Sequence, residues 1–362
     1  MRTERVALPG LIDPHVHLRE PGATKKEDFE TGSKAAIAGG FTTVFDMPNN
    51  PEATTAPEAL QRKIRLAGNR IYCDVGFYFG ATASGTKHFE KVKDQVFGLK
   101  VYMNHTTGTL LMEDPNELQF VFSNWPKEKP IIVHAEGQTL EKAIGLAGLN
   151  ERRLHVAHLA TKEDLEMVRR AKEEGRPVTC EVTPHHLFLT QADADELGPF
   201  GLMKPSLKRE SDRFALWKGL EAGVIDMIAT DHAPHTIEDK KSENPPLGVP
   251  GLETALPLLL TAVAENKLTL EKVIELTSTN PRKIFALPIV PETYTEVDLK
   301  ESYLISSSNL KTKCGWTPFN GMRVTGKVIK VVLRGKIVFN GENIIGMPSG
   351  KVVYAGDLQK HN

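Results

Sequence analysis

Residues 11–18 read Leu-Ile-Asp-Pro-His-Val-His-Leu, and this short apolar stretch predicts a buried β-strand that carries His15 and His17. Side chains alternate across a strand, so residues two apart point to the same side. We therefore expect both imidazoles to face one interior. A His-x-His pair alone is a weak indication of a metal site, because two hydrogen-bonded structural histidines give the same pattern.

Seven further apolar stretches follow, separated by segments with helical spacing of apolar residues, such as Lys162–Glu174. Eight strands alternating with helices predict a parallel sheet, either closed into a (β/α)8 barrel or open and doubly wound. The closed barrel is favoured, because no GxGxxG or phosphate-binding loop follows the first strand. The predicted strands are Leu11–Leu18, Thr42–Met47, Tyr72–Phe79, Gly98–Met103, Pro130–His134, Leu154–Leu159, Pro177–Pro184 and Asp226–Asp231.

The pattern changes after Pro291, where short strands and Asn-Gly hairpin turns predict a small β-domain. We therefore predict an α/β chain with a TIM-barrel catalytic domain over residues 10–290 and an accessory β-domain over residues 291–362. The N-terminal strand within residues 1–9 is expected to join the β-domain, because chain ends often lie close together. The elements concerned are strands at Arg2–Leu8, Tyr294–Leu299 and Gly326–Phe339, with turns at Asn320-Gly321 and Asn340-Gly341.

Length and charge limit the class of function. The 362 residues suit a barrel of about 250 residues with an accessory domain. Lys plus Arg number 45 and Asp plus Glu 46, a net charge of -1, so no basic surface for nucleic acid or membrane is indicated. No apolar run reaches the roughly 18 residues of a membrane helix. We therefore expect a small-molecule substrate, with neither nucleic acid nor membrane as a partner.

Cysteine usage favours a reducing compartment. Cys73, Cys180 and Cys314 form no CxxC pair, and their odd number argues against a disulfide scaffold. The first ten residues, MRTERVALPG, lack the apolar segment of a signal peptide. We expect a cytoplasmic protein, and the abrupt strand at the start is compatible with a domain taken from a longer polypeptide.

Ionisable residues recur at the ends of the predicted strands. His134 ends the fifth strand, His158 the sixth and Asp231 the eighth, and Lys100 lies in the fourth. Such groups are costly to bury without partners, and barrel enzymes place their sites at the carboxyl ends of the strands. A metal centre shared with the two histidines of the first strand removes that cost. Imidazole and carboxylate ligands suit zinc, although cobalt and manganese accept the same donors.

Lys100 has two interpretations. A protonated ammonium is no metal ligand, so it can be a buried lysine paired with Asp231 or Glu181. Alternatively, burial near cations lowers the pKa of the amine, and the neutral amine reacts with carbon dioxide to give a carbamate that bridges two metal ions. Position alone does not separate these hypotheses. With two metals about 3.5–4 Å apart, Asp231 is the natural general base and acid.

These residues carry a resemblance to the cyclic amidohydrolases, and to dihydroorotase in particular. Residues 9–22 resemble the dihydroorotase signature around the first two metal ligands. The segment Asp46-Met47-Pro48-Asn49-Asn50 resembles the motif on the second strand of that family. Two later segments, Asp231–His235 and Pro250–Thr254, resemble the family's eighth-strand motif and the motif of the loop that follows it. The similarity runs over nearly the whole chain. It is greatest to the dihydroorotase domain of the animal multifunctional pyrimidine-synthesis protein CAD, down to Trp316-Thr317-Pro318-Phe319.

The resemblance implies a zinc-dependent cyclic amide hydrolase that reversibly closes N-carbamoyl-L-aspartate to L-dihydroorotate in pyrimidine synthesis. It implies two zinc ions with room for a third, a carboxylated Lys100 as bridging ligand, and Asp231 as the catalytic group that moves the proton. It further implies a homodimer or a larger pyrimidine-synthesis assembly. The implied metal ligands are His15, His17, Lys100, His134, His158, Asp231 and, for the third metal, Glu181; the implied substrate contacts are Arg19, Asn49, His235, Lys204 and Gly248; the implied flexible loop contains Thr106 and Thr107.

Three positions depart from the animal-type pattern. Ala157 replaces a cysteine, which removes a possible ligand of the third metal. Thr107 replaces a phenylalanine in the loop that closes over substrate, so the closed state is expected to be held differently. Lys204 replaces an arginine or asparagine, and lysine keeps the charge but loses arginine's planar fork. The last change bears on substrate affinity more than on reaction type.

Two other functions stay open. An allantoinase or dihydropyrimidinase would use the same metal ligands, but Arg19 favours an anionic substrate, because guanidinium pairs with carboxylate through two hydrogen bonds. A catalytically silent dihydroorotase-like scaffold is disfavoured, because every ligand position is filled. Turnover of dihydroorotate, hydantoin and allantoin separates the enzymes, and metal analysis of the pure protein separates the scaffold.

Overall fold

The computed structural model describes residues 4–356. No helix within that range is long and apolar enough to cross a membrane. The strands are β1 Arg5–Pro9, β2 Leu11–Val16, β3 Phe41–Asp46, β4 Asp74–Phe77, β5 Phe79–Gly80, β6 Leu99–Tyr102, β7 Ile131–His134, β8 Leu154–Val156, β9 Val178–Val182, β10 Met227–Ile228, β11 Tyr294–Leu304, β12 Arg323–Leu333 and β13 Lys336–Phe339.

The helices lie mainly between the strands of the parallel sheet, as the alternating pattern predicts. A π-helical turn, Glu275–Thr279, joins the last two of them. The helices are α1 Phe29–Ala38, α2 Pro57–Ala67, α3 Phe89–Val92, α4 Pro115–Asn124, α5 Gln138–Leu149, α6 Lys162–Glu173, α7 Pro184–Phe188, α8 Gln191–Leu197, α9 Glu210–Glu221, α10 Ile237–Lys240, α11 Leu252–Ala264, α12 Leu270–Ile274 and α13 Asn280–Phe285.

The parallel strands form a closed barrel. β2, β3 and β4 make one three-stranded sheet, and β5 to β10 make a six-stranded sheet in sequence order. The two sheets meet at Tyr78, which separates β4 from β5, and its N–H donates to Asp46 O at 3.2 Å. The other end closes where the His17 N–H donates to His232 O at 2.8 Å. Because β4 and β5 are halves of one barrel strand, the fold is the eight-stranded barrel that the sequence predicted, not an open sheet.

Two predicted strands end earlier than expected. β8 ends at Val156 and β10 at Ile228, so His158 and Asp231 follow their strands rather than end them. Both residues have positive φ, 34° and 46°, a left-handed conformation that cannot continue a strand. Backbone held in this region by its surroundings is concentrated at functional sites.

The interior of the barrel is packed. Ile132 lies two residues before His134, so both side chains point into the barrel. Around Ile132, the rings of Phe45 and Phe97 stack with centroids 4.1 Å apart, and Phe285 meets Phe45 edge-on at 5.2 Å. The barrel is therefore a filled core, and it supports the polar residues at the carboxyl ends of its strands.

The strands after Pro291 form an antiparallel sheet with the N-terminal strand, in the order β1-β11-β12-β13. β1 pairs with β11 from Arg5, opposite Asp298, to Pro9, opposite Tyr294. Arg2 and Thr3 of the predicted strand lie outside the described residues. The sheet is the accessory β-structure that was expected, while the division into domains at residues 290 and 291 stays a prediction.

The predicted strand Gly326–Phe339 is wrong in extent, because a turn at Arg334-Gly335 splits it into β12 and β13. Both turn residues have positive φ, 50° and 75°, as in a tight hairpin. Asn340-Gly341 forms the predicted turn, since the Asn340 N–H donates to Asn343 O at 3.2 Å. Asn320-Gly321 instead ends the long connection between β11 and β12 and is not a two-residue hairpin.

Candidate metal centre and substrate site

Three predicted ligands converge at the carboxyl ends of the first and last barrel strands. One ligand atom from each of His15, His17 and Asp231 lies within 4.8 Å of the others. Asp231 Oδ1 is 3.0 Å from His17 Nε2 and 3.4 Å from His15 Nε2. The alternation of β2 brings the two histidines together, and the left-handed turn after β10 brings the carboxylate to them.

The protonation of the two imidazoles follows from their other nitrogens. His15 Nδ1 contacts the Glu181 carboxylate, and His17 Nδ1 lies 2.8 Å from Asn49 Oδ1. Carboxylate and amide oxygens only accept, so each Nδ1 carries the proton and each Nε2 presents a lone pair to Asp231. Three acceptors therefore face one another. A cation resolves this repulsion, and the set thus fits a metal ion.

A second group of predicted ligands lies beside the first. His134 Nδ1 is 2.8 Å from His158 Nε2, and the rings of His158 and His15 are 5.3 Å apart. His134 Nε2, His158 Nδ1 and Lys100 Nζ are buried and have no hydrogen-bond partner in the described part of the chain. Buried polar atoms without partners are rare in folded proteins, so these three atoms also fit ligands of a metal ion.

Burial sets the charge states of this donor set. It lowers the pKa of His17 to about 4 and that of His134 to about 3, so both imidazoles are neutral at pH 7. Although burial by itself would raise it, the pKa of Asp231 lies well below its usual range, so the carboxylate is ionised at pH 7. Neutral imidazoles and an ionised carboxylate are the forms that bind zinc.

The surroundings of Lys100 bear on its two interpretations. Burial lowers the pKa of its amine to about 8, against the attraction of Glu181 and Asp231. Its Nζ lies 5.3 Å from the centroid of the Tyr102 ring and makes no ion pair within 4.0 Å to any described residue. The first interpretation, a lysine paired with Asp231 or Glu181, therefore does not fit the structure. The amine instead has the lowered pKa that favours carbamate formation.

Glu181 holds the neighbouring histidines. Its carboxylate contacts His15 Nδ1, lies 3.1 Å from His155 Nε2 and accepts the His158 N–H at 3.2 Å. It thus orients a ligand through the ligand's far nitrogen. The third metal site at Glu181 stays a prediction, and Ala157, buried in the apolar interior, offers no donor to it.

Four of the five predicted substrate contacts line one depression beside this centre, whereas His235 is fully buried and does not line it. Thr106, Thr107, Lys204 and Gly248 lie around it, together with Arg19 and Asn49. An adjoining cavity of about 250 Å³ shares several of these residues and adds others that were not predicted as substrate contacts. The shared residues are His17, Arg19, Asn49 and Thr107, and the additional ones include Ala23, Lys26, Asn50, Pro51 and Gly108.

Arg19 is a buried cation that has no acidic partner among residues 4–356. Its side chain is fixed by an Nε–H bond to Pro234 O at 3.0 Å, and its Nη2 is 3.1 Å from His235 Nε2. No carboxylate of the described residues forms an ion pair with it. Burial lowers its pKa to about 10, so it stays charged at pH 7. A buried unpaired guanidinium at a cavity wall calls for an anionic ligand.

The predicted flexible loop lies against the site. Thr107 O accepts from Asn49 Nδ2 at 2.9 Å, and Thr107 Oγ1 donates to Leu247 O at 3.4 Å. Next to Leu247, Gly248 has a φ of 134°, and a Cβ there would come within 2.7 Å of Ala233 O. A hydroxyl thus holds the loop where the animal-type pattern has phenylalanine, and the wall beside it requires glycine.

Lys204 lies at the edge of the depression and pairs with an acidic residue. Its Nζ is 3.0 Å from Glu136 Oε1, while Lys208 Nζ is 3.5 Å from Glu136 Oε2. A substrate carboxylate would therefore compete with Glu136 for this lysine. The lysine is placed at the substrate depression as predicted, but its contact with substrate stays a prediction.

Sequence reasoning missed several residues of the site. Lys26 and Asn50 line the cavity from loops, where no periodicity marks them. Asp13 was missed although it lies on the same strand as His15. Its Oδ2 accepts from Thr230 Oγ1 at 2.5 Å, which ties the first barrel strand to the last, and burial raises its pKa to about 7. An acidic residue inside an apolar strand was the signal that could have found it.

Comparison with known proteins follows this geometry. The sequence model of the Amidohydrolase family matches residues 6–338. The chain is 46% identical over 98% of its length to multifunctional protein CAD of Squalus acanthias, but spans 16% of that protein. It is 37% identical over 99% of its length to the dihydroorotase of Pyrococcus furiosus and covers 87% of that enzyme.

Solved structures agree with the fold. L-hydantoinase from Arthrobacter aurescens superposes with a TM-score of 0.91 at 26% identity, over 97% of this chain and 89% of that one. The inactive dihydroorotase-like domain of a Chaetomium thermophilum CAD-like multifunctional protein superposes with a TM-score of 0.83 at 26% identity, over 96% of this chain and 99% of that domain. The barrel and the accessory sheet are thus a shared architecture, on which activity depends on the site.

Proposed function

This chain belongs to the amidohydrolase family and, within it, to the dihydroorotases, and we propose that it interconverts N-carbamoyl-L-aspartate and L-dihydroorotate. One observation carries the proposal: the unpaired guanidinium of Arg19 lines the same depression as His17 and Asp231. A site that joins a metal-type donor set to an anion-binding group suits a cyclic amide that bears a carboxylate.

The residues that would hold the metal ions are the convergent donors described above. His15, His17 and Asp231 form one set, and His134 and His158 the adjoining one, and a carboxylated Lys100 would supply a further anionic ligand. The carbamate forms when the lysine Nζ attacks carbon dioxide and loses a proton, which leaves an anionic oxygen pair. A bound divalent cation lowers the pKa of water and polarises a carbonyl oxygen. We propose zinc, two ions per chain.

Asp231 is the group that moves the proton. Its carboxylate is ionised at neutral pH and is 12% exposed at the substrate depression. In the hydrolytic direction it accepts a proton from the attacking water and returns it to the ring nitrogen as the amide C–N bond breaks. In the synthetic direction the same proton moves in reverse order.

The substrate carboxylate is held by Arg19 and Asn49. His235, the third predicted contact, instead lies beside Arg19 Nη2, with its own ring nitrogens engaged by Leu247 O and Lys26. The Nε of Arg19 is bonded to Pro234 O, and neither Nη group forms an ion pair with an acidic residue in the described part of the chain. Asn49 has one Nδ2 hydrogen left after its bond to Thr107 O. This arrangement leaves several N–H donors for one carboxylate, and it positions the ring relative to Asp231.

Two alternatives are weaker. A hydantoinase-type substrate without a carboxylate would leave Arg19 buried and unpaired, at the cost of an unneutralised charge. A silent scaffold would have no use for the buried unpartnered atoms of Lys100, His134 and His158. The larger context also belongs to the proposal: a cytoplasmic homodimer or a part of a multifunctional chain, with the catalytic and accessory domains divided near residue 290.

Turnover and metal content test the proposal together. The purified chain should contain about two zinc ions, lose activity on chelation and regain it with zinc. It should hydrolyse L-dihydroorotate at least about a hundredfold faster than dihydrouracil, hydantoin or allantoin. A folded, metal-free and inactive chain would establish the scaffold instead, and a preference for hydantoin would establish the hydantoinase.

A further inference from the structure

Lys26 is a positively charged residue at the substrate site that was not among the predicted metal ligands or substrate contacts. It lies on the loop before α1 and lines the same cavity as Arg19, Asn49 and Thr107. Its side chain is 19% exposed, and its Nζ is 2.9 Å from His235 Nδ1. Its ion pair is weak, since Asp239 Oδ2 is 3.4 Å away and Asp239 also pairs with the exposed Lys25 at 2.9 Å.

The imidazole of His235 lies between two cations. Lys26 Nζ approaches its Nδ1, and Arg19 Nη2 lies 3.1 Å from its Nε2. Burial, together with Arg19 and Lys26, lowers the pKa of His235 to about 2, so the ring is neutral and has a single acceptor nitrogen. It cannot accept a hydrogen bond from both cations.

A backbone carbonyl decides which nitrogen accepts. His235 Nε2 lies 3.0 Å from Leu247 O, and a carbonyl oxygen only accepts, so Nε2 carries the proton. Nδ1 then accepts from Lys26. Arg19 Nη2 consequently has no acceptor on the imidazole, and the guanidinium, which lines the cavity, stays available to a ligand there.

We infer that Lys26 is a specificity-determining residue for the substrate carboxylate. It acts in two ways: together with Leu247 O it stabilises the Nε2–H tautomer of His235, in which the ring accepts nothing from Arg19, and it adds a second positive charge to the carboxylate side of the cavity. Burial, followed by the charge of Arg19, lowers the pKa of Lys26, and Asp239 opposes this shift without cancelling it. The inference rests on the proposed function, because the anion is the carboxylate of that substrate.

The test separates substrate binding from turnover in the full chain. Lys26→Met and Lys26→Gln remove the charge, Lys26→Arg keeps it, and Lys25→Met is the matched control. With L-dihydroorotate, the two neutral variants should raise KM about tenfold, which is the effect expected from losing one partly screened charge-assisted contact. They should keep kcat within about twofold of the wild-type value. Lys26→Arg should recover most of the affinity, and Lys25→Met should match the wild-type enzyme.

Two further measurements exclude a merely structural role. Dihydrouracil, which has the same ring without the carboxylate, should inhibit the wild-type enzyme and Lys26→Met equally, with constants within about twofold. The 15N shifts of His235 should show the Nε2–H tautomer in the wild-type enzyme and a changed tautomer population in Lys26→Met. Thermal unfolding checks that each variant is folded.

The outcomes are distinguishable. A wild-type chain that does not turn over L-dihydroorotate overturns the proposed function and this inference with it. An active wild-type enzyme whose Lys26→Met and Lys26→Gln variants keep the wild-type KM overturns the inference alone. Equal weakening of dihydroorotate and dihydrouracil also overturns it, because the lysine would then only maintain the shape of the cavity.

Discussion

Arg19→Lys is the most direct test of substrate recognition. Arg19 is 6% exposed, has no acidic partner among residues 4–356 and is held by the single bond from its Nε to Pro234 O at 3.0 Å. Lysine preserves the positive charge but has one nitrogen where arginine has three. A lysine side chain cannot donate a hydrogen bond to Pro234 O and also bind a carboxylate through two parallel hydrogen bonds.

The size of the effect follows from this count of donors. One charge-assisted hydrogen bond to the substrate is lost, which is worth about 1.5–3 kcal/mol in a buried site. Since each 1.4 kcal/mol is a factor of ten in affinity, KM for L-dihydroorotate should rise by about 10- to 150-fold. The charge remains, so kcat should fall by no more than about fivefold.

Initial rates over a range of dihydroorotate concentrations give both constants. Arg70→Lys is the control, because Arg70 is a half-exposed arginine that pairs with Glu20 at 2.8 Å and does not line the cavity. A KM for Arg19→Lys within twofold of that of Arg70→Lys would refute the assignment of Arg19 to the carboxylate. A loss in kcat with unchanged KM would place Arg19 at the reacting end of the substrate instead.

Three other perturbations test the centre and the fold around it. Lys100→Ala should lower both zinc content and turnover, the latter by more than about a hundredfold, because a bridging ligand is lost; near-normal turnover would contradict the carboxylated lysine. Asp231→Asn should keep part of the zinc but lose about 10²- to 10⁴-fold in kcat, and a loss below tenfold would argue against proton transfer. Burial raises the pKa of Glu253 to about 8 from 4.5, so the folded state holds this proton more tightly, and the resulting stability, present below pH 4.5, is lost as pH rises towards 8. The loss in free energy of unfolding is at most about 1.4 kcal/mol per pH unit, and Glu253→Gln should remove it. Thermal midpoints measured against pH test this, and parallel profiles for the variant and the wild type would contradict it.

The barrel was predictable because its signals are local. Each barrel strand is an apolar run bounded by turn residues, and each intervening helix has a periodic apolar face, as in α6. Glu253, by contrast, lies in a motif that resembled part of the site, yet its carboxylate accepts the backbone N–H groups of Lys311 and Thr312. The sequence could not distinguish a structural acid from a functional one.

The accessory sheet shows where local signals fail. Arg334-Gly335 makes the β12–β13 turn, although Asn-Gly pairs nearby are the stronger turn signals. Arg334 is fixed there because its guanidinium pairs with Asp74, at the start of a barrel strand, at 2.8 Å. A tertiary contact thus decides a local conformation.

The sequence by itself determined which donors are present and which barrel strands carry them. This is because strand periodicity can be read from the chain alone, and barrel enzymes place their sites at the carboxyl ends of the strands. Only the tertiary structure decided what each donor can do. Glu181 and Asn49, distant in sequence from His15 and His17, fix which nitrogen of each imidazole presents its lone pair. Charge state and tautomer depend on neighbours brought together in space, so no pattern along the chain encodes them.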